Sequence, residues 1–455
     1  MKVVHIPFCY WPDPVGGTEV YVQSLAKEQQ RQGLDIVVAA PGKLNAEYWH
    51  DGLRVRRFAV NQKVEDLQEL YGEGDPRAAE EIGRILDEES PDLVHQHALT
   101  RGASLRLVRE AKRRGLPVVF SYHTPTVSCQ RGTLLRWGSE VCGGTLDVNE
   151  CTRCALHGHG LNRFSSTAAG SIPTGVGRVL GALGASGGFW TAARMTELVR
   201  LRHAMFRNLI AEVDHVIGLC QWVKDVLVRN DVPEAKITVS RQGLDDQQVG
   251  VSSLELGTER RTGQSAVRIA FLGRLDPTKG VHVLIEALKR NPALDIRLDI
   301  FGVVQEGAGE EYQRRLMTLA GTDERIGFQQ PISSDQVVVR LKDYDLLAVS
   351  SQGLETGPRV VLEAFAARIP VIGSNLGGIA ELVQHGVNGL LVEPQSIEAW
   401  ADGFTSVCYD PELLPRLRAG VRAPRGMRAV ADEMRVIYMN VLQTLDATAS
   451  LSCAT

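Results

Sequence analysis

The 455-residue sequence contains no uninterrupted apolar run near the roughly 20 residues that a membrane-spanning helix requires. It also has no surplus of cations, with 50 Lys and Arg against 54 Asp and Glu and a formal net charge of -4. The first lack argues against a helical membrane-spanning protein, and the second removes the electrostatic drive to neutralise nucleic-acid phosphates, so no DNA or RNA partner is expected. The opening MKVVHIPFCYW lacks the basic and apolar regions of a secretory leader, which predicts a cytoplasmic chain. Without that leader, the eight cysteines read as reduced thiols or metal ligands rather than a disulfide framework. What remains is an ordinary globular composition, 44% hydrophobic and 23% charged, in a chain long enough for two or three cores.

Short apolar segments alternate with amphipathic ones. KVVHIPF precedes GGTEVYVQSLAKEQQRQG, and LDIVVAAP follows it; PDLVHQH, LPVVFSYH and DHVIGLC continue the alternation to about residue 246. A polar stretch over 247–266 reads as a linker. The pattern then restarts over 267–427 with VRIAFLGRL, IRLDIFG, DLLAVSS, IPVIGS and GLLVEP, each followed by a helical segment. Such alternation predicts an α/β fold of two Rossmann-like, doubly wound parallel-sheet domains facing a central cleft, with the ligand outside the carboxyl ends of the strands. The last segment, RAVADEMRVIYMNVLQTLDA, repeats Val430, Met434, Ile437 and Val441 at helical spacing, so it carries an apolar stripe that must be buried.

In GRLDPTKG, Arg274 and Lys279 follow a strand end and lead into a helix N-terminus, a combination suited to anions; the alternative is a pair of solvated surface cations. SQGLETGPRVVLEAF sets two glutamates eight positions apart. Pro358 suits the first turn of a helix, which leaves Glu355 in the preceding loop and Glu363 about two turns inside, among apolar neighbours. A buried carboxylate needs donors, and ribose or sugar hydroxyls supply them; an internal salt bridge would do so as well. Asp343–Asp345, written DYD, resembles a metal motif but runs directly into an apolar strand, so it reads as a helix end and strand start.

The ordered set GRLDPTKG, ETGPRVVLEAFAARIPVIGSNLGGIAELV and GVNGLLVEP, with the weaker PVGGTEVYV, DLVHQH and SYHTP before it, resembles the retaining glycosyltransferases of the GT-B fold, glycosyltransferase family 4. The resemblance implies transfer of a hexose from a UDP- or GDP-linked donor to a carbohydrate, lipid-linked or small-molecule acceptor, without a catalytic cofactor. It implies that Arg274 and Lys279 hold the diphosphate, Glu363 the ribose and Glu355 the transferred sugar. By the same resemblance Thr356, Gly357, Arg359 and Val360 line the donor site, His123 sits by the sugar and diphosphate, and the Gly16-Gly17 turn lets backbone approach the ligand. It also implies that the last helix, 428–448, returns to the first domain. Pro358, Arg359, Gln330 and Val304 depart from the family pattern, which puts the base and sugar in doubt. A nucleotide-sugar 2-epimerase and a silent nucleotide-sugar binding module are the competing readings.

Two features lie outside that pattern. Cys129, Cys142, Cys151 and Cys154, spaced C-x12-C-x8-C-x2-C within 129–154, suit either a structural zinc or four reduced thiols, with His157 or His159 able to replace a ligand. The segment 158–210 reads as an insertion, glycine-rich and apolar and then rich in arginine. It is either a helical hairpin packed on the domain or a peripheral contact with the inner membrane face.

Overall fold

The computed structural model describes residues 1–13, 16–64, 67–250 and 266–452, with side chains described to residue 445. Most of the expected linker, 251–265, lies outside the described residues, as do Pro14 and Val15 of PVGGTEVYV. The chain divides into two compact units, Met1–Arg241 with Arg428–Thr455, and Gln242–Met427.

The first unit is built on an eight-stranded sheet. Its order is Ile237–Val239, His215–Gly218, Val118–Tyr122, Leu93–Gln96, Lys2–Ile6, Asp35–Gly42, Leu53–Ala59 and Ala46–His50. All neighbours are parallel except the last pair. Leu93–Gln96 and Val118–Tyr122 are buried at every residue, the mark of strands covered on both faces. The hairpin Ala46–His50/Leu53–Ala59 escapes sequence reading because its outward positions are charged: Arg54 and Arg56 pair with Glu47 on the neighbouring strand and with Glu89.

The insertion forms the helices Arg163–Ala169, Thr174–Ala182 and Gly188–Glu212. Its glycines lie in and around the shorter helices, so the last runs unbroken for 25 residues and buries an Arg194–Glu197 ion pair at 3.3 Å. The C-terminal helix Met427–Ser452 packs in the first unit, with Val430, Met434, Ile437 and Val441 buried.

The second unit is a six-stranded, wholly parallel sheet in the order Ile326–Gln329, Ile296–Val303, Val267–Arg274, Leu346–Val349, Val371–Ser374 and Gly389–Val392. Numbered within the unit, this is 3-2-1-4-5-6, the doubly wound order. Asp343–Asp345 falls between the helix Val337–Leu341 and the strand beginning at Leu346, and Asp345 caps that strand edge by accepting from the Arg268 amide at 2.9 Å. The outer strand Ile326–Gln329 was not expected; its residues are only half-buried and carry no apolar run.

Candidate functional site

In a 3-2-1-4-5-6 sheet the winding reverses between strands 1 and 4, so the loops after those two strands diverge and leave room for a ligand at their carboxyl ends. Arg274 ends strand 1 and is exposed. The chain then makes a single tight turn, Pro277–Lys279, which Asp276 caps by accepting from the Thr278 amide at 2.8 Å. Gly280 follows in the left-handed region, with φ 70, where an added Cβ would lie 2.1 Å from the Ser350 carbonyl oxygen. Glycine is required there because the turn is pressed against the end of strand 4. Ser350 Oγ donates to the Lys279 carbonyl at 2.8 Å, and the Gln352 amide donates to the Thr278 carbonyl at 2.6 Å.

That contact brings Lys279 onto Glu355, whose Oε1 accepts from the Lys279 ammonium and, at 2.8 Å, from Ser351 Oγ. Burial works to raise the Glu355 carboxyl pKa, but Lys279, the hydrogen bonds and the more distant Arg274 outweigh it and hold the group below the ordinary carboxylate range. Behind the loop, the Gly378 amide donates to the Glu355 carbonyl at 2.7 Å. A Cβ on Gly378 would meet the same oxygen at 2.7 Å. The contact of Gly378 with Glu355 crosses between strands 4 and 5 and leaves no local signal in the sequence.

Thr356 is buried, Gly357 lies against the Gln242 side chain, and Pro358 caps the helix Arg359–Ala366, against whose core Val360 packs. Glu363 is the fifth residue of that helix, so it stands about one turn inside rather than two, because the helix starts one residue after Pro358. It is buried and paired within the helix: Arg359 Nε donates to Glu363 Oε1 at 2.9 Å. Burial raises the Glu363 pKa against the opposing pull of Arg359. Arg359 Nη2 donates to Gln248 Oε1 at 2.7 Å, while Nη1 is buried without a hydrogen-bond partner among the described residues. Gln248 belongs to the short helix Asp246–Gly250, so the first residues of the expected linker support this site instead. A buried, unsatisfied guanidinium nitrogen costs about 1–3 kcal/mol or more, which an acceptor on a ligand would recover.

The first unit holds the remaining expected residues. Gly16 caps the helix Gly17–Arg31, its amide donating to Glu19 Oε2 at 2.8 Å, and among the described residues nothing lies within 4 Å of where Gly17 would carry a Cβ. His123 follows strand Val118–Tyr122 and is buried, with Nε2 3.0 Å from His97 Nδ1; burial pulls its pKa to about 3.

Cys129, Cys142, Cys151 and Cys154 are free thiols. Cys142 and Cys154 accept from the Gly144 and Trp137 amides, each at 3.4 Å. Burial, reinforced by the neighbouring cysteines, pushes Cys151 up to about 12. Among the described residues, the set of three candidate ligand atoms within 4.8 Å of one another is His5, His95 and His97, not the cysteines.

Two parallel-sheet α/β units, one with its candidate site at the winding reversal, have the architecture of GT-B glycosyltransferases. Residues 16–150 match the family described as glycosyl transferase 4-like domain, and residues 261–423 match glycosyl transferases group 1; the chain belongs to this glycosyltransferase family. It is similar to the D-inositol 3-phosphate glycosyltransferase of Saccharomonospora viridis, at 32% identity over 53% of this chain and 59% of the relative. A Corynebacterium efficiens protein of the same name is 30% identical over 47% of this chain and 53% of its own length. The matches thus span little more than half the length of these curated relatives. The fold is shared with sucrose-phosphate synthase from Thermosynechococcus elongatus (TM-score 0.66, 18% identity, 98% of this chain and 100% of that one). It is also shared with Anabaena HepE in complex with UDP and glucose (TM-score 0.58, 19% identity, 99% of each chain).

Four buried histidines of the first unit make its stability depend on pH. Burial lowers His5 to about 4 and His123 to about 3, and puts His95 and His97 well below the ordinary value of 6.5. As pH falls from about 6.5 towards 4, the unfolded chain takes up protons that the folded unit refuses, so stability is lost on the acid side. Each histidine contributes up to about 1.4 kcal/mol per pH unit. Denaturant unfolding across that range should show this decline; constant stability would mean that the histidines titrate in place.

Proposed function

We propose that the protein transfers a hexose from a UDP- or GDP-linked donor to an acceptor hydroxyl with retention of anomeric configuration, in polysaccharide, glycolipid or glycoconjugate biosynthesis. The observation that carries this reading is the meeting of Lys279, Arg274 and Glu355 at the winding reversal of the second unit. Fixed cations belong where a leaving diphosphate develops charge. In the unliganded protein the Glu355 carboxylate occupies Lys279. A bound diphosphate competes for that ammonium and releases Glu355 to accept from a hydroxyl of the transferred sugar. Glu363 shares its carboxylate between Arg359 and the ribose hydroxyls, and the open Nη1 of Arg359 takes a further acceptor on the nucleotide. The similar Anabaena fold bound to UDP and glucose supports a nucleotide-sugar donor.

In the step itself the bond from the anomeric carbon to the diphosphate oxygen breaks, and a bond to the acceptor oxygen forms on the same face. The acceptor proton passes to an oxygen of the departing diphosphate. Arg274 and Lys279 stabilise the charge left on that group, so neither a protein nucleophile nor a catalytic metal is needed. A 2-epimerase would instead release free nucleotide diphosphate without a glycosylated product, and a silent module would bind donor without turnover.

The acceptor is a carbohydrate, a lipid-linked molecule or a small molecule. Among the described residues no helix is long and apolar enough to cross a membrane. The insertion, however, exposes Phe164 (84%), Leu183 (76%) and Phe189 (77%), and the chain has no acidic residue between Glu150 and Glu197. An apolar surface on a segment whose own charges are cations, one of which, Arg163, pairs with Glu140 at 3.8 Å, suits peripheral contact with anionic lipid at the inner face. For Cys129, Cys142, Cys151 and Cys154 we propose a structural zinc. The spacing and the amide-to-sulfur bonds support it, and it requires the sulfurs to draw together on binding.

Substitution, chelation with metal analysis, and vesicle binding test these readings. Glu363→Ala should weaken donor and free nucleotide alike, whereas Glu355→Ala should spare nucleotide binding and lower turnover; equal losses in both would reject the division of roles. Activity should persist in excess EDTA, with one zinc per chain retained by elemental analysis, while Lys279→Ala loses on the order of 10²-fold in turnover. Loss of activity on chelation, restored by magnesium alone, would reject metal independence, and well under one zinc per chain in protein purified without chelator would reject the zinc site. In sedimentation with vesicles, the protein should follow phosphatidylglycerol over phosphatidylcholine and Phe189→Ser should weaken it; no preference for the anionic lipid would count against the membrane surface.

A further inference from the structure

Four histidines converge in the first unit from three adjacent strands. His5 lies in Lys2–Ile6, His95 in Leu93–Gln96, His97 one residue beyond it, and His123 directly after Val118–Tyr122. All are 5% exposed or less. Burial keeps them neutral at ordinary pH, so in each ring one nitrogen donates and the other accepts. Linked rings of that kind transmit polarity: once one end is fixed, every proton position along the line follows.

Gln29 fixes the end. Its Oε1 lies 2.8 Å from His5 Nε2, while its Nε2 lies 3.2 Å from the Tyr438 hydroxyl. A carbonyl oxygen can only accept, so His5 carries its proton on Nε2 and offers a lone pair at Nδ1. That Nδ1 is 2.8 Å from His97 Nε2, which must therefore be the protonated nitrogen of His97. His97 Nδ1 then accepts from His123 Nε2 at 3.0 Å. A second branch leaves Gln29 through its amide: Tyr438 accepts from it and donates to His95 Nδ1 at 2.6 Å, and His95 Nε2 donates to Ser121 Oγ at 2.8 Å. All six ring nitrogens of His5, His95 and His97 are thereby used, so a metal at this trio would have to displace a hydrogen bond at each ring it joined.

We propose that the line Gln29–His5–His97 is a positioning device that holds the proton of His123 on Nε2 and makes its Nδ1 a hydrogen-bond acceptor. Resting on the donor reading above, His123 meets the nucleotide sugar by accepting from a sugar hydroxyl and does not donate from Nδ1 to a phosphate oxygen. Gln29, His5 and His97 act through His123. Tyr438 secures the Gln29 amide from the C-terminal helix, which gives that helix a part in the site as well as in the packing.

Long-range proton–nitrogen correlation spectra of the histidine side chains in the full-length protein test this directly. His123, assigned by the signals lost in His123→Asn, should show a proton-bearing Nε2 and a lone-pair Nδ1. In Gln29→Met, which removes the fixed acceptor, His5, His97 and His123 should no longer hold a single proton arrangement. Turnover of the folded variant should then fall roughly tenfold, the scale of one neutral hydrogen bond. A wild-type His123 protonated on Nδ1, or charged, would overturn the proposal, as would Gln29→Met with the His123 pattern intact. The wild-type spectrum decides the matter even if Gln29→Met does not fold. Because it needs no substrate, it also separates failure of this relay from failure of the glycosyltransferase reading.

Discussion

Lys279 and Glu355 are 76 residues apart in the chain, yet the ammonium of one donates to the carboxylate of the other, and much of the second unit serves that contact. A carboxylate three-quarters withdrawn from solvent stays ionised only beside a cation, and an anion site needs its cations held in place before the ligand arrives. The turn at Pro277–Lys279 is therefore pressed onto the end of strand 4, with Gly280 admitting the contact and Gly378 holding the Glu355 backbone from the other side. Opposite charges paired in this way leave no unpaired buried charge before a ligand arrives, and on the proposed reading a diphosphate enters by exchange with Glu355.

The second pair, Arg359 and Glu363, follows a different logic. It forms within one helix at i, i+4 spacing and is almost wholly buried, so the two charges chiefly offset each other's desolvation. What sets it apart from a structural salt bridge is the remaining edge of the guanidinium. Gln248 satisfies Nη2 from a segment outside the sheet, and Nη1 is left over. In the first unit the polar interior is handled in the opposite way. Every nitrogen of His5, His95 and His97 is matched to a partner, so those rings confer order where a partly satisfied network would confer strain.

The two sheets were legible because parallel strands buried on both faces leave apolar runs separated by amphipathic helices, as in VVFSY and LLAV. Ala46–His50 and Ile326–Gln329 were not, since edge strands carry charged or half-exposed residues whose partners lie on other elements. Arg274, Lys279, Glu355 and Glu363 could be picked out as candidates from local chemistry alone: cations beside a helix start, one carboxylate in a loop, one among apolar neighbours. Their partners could not. Ser351, Gly378, Gln242 and Gln248 are unremarkable in sequence and acquire a role only through contacts made across the sheet or from the segment before it.

By itself the sequence determined the class of fold, the order of its buried strands and which charged side chains are candidates to meet an anion, because periodicity and residue type are local properties. The tertiary structure decided which charges pair, which guanidinium nitrogen stays open and on which nitrogen His123 carries its proton. Those outcomes depend on distances of about 3 Å between residues tens to hundreds of positions apart, as with Gln29 and Tyr438, and only the folded packing sets such distances.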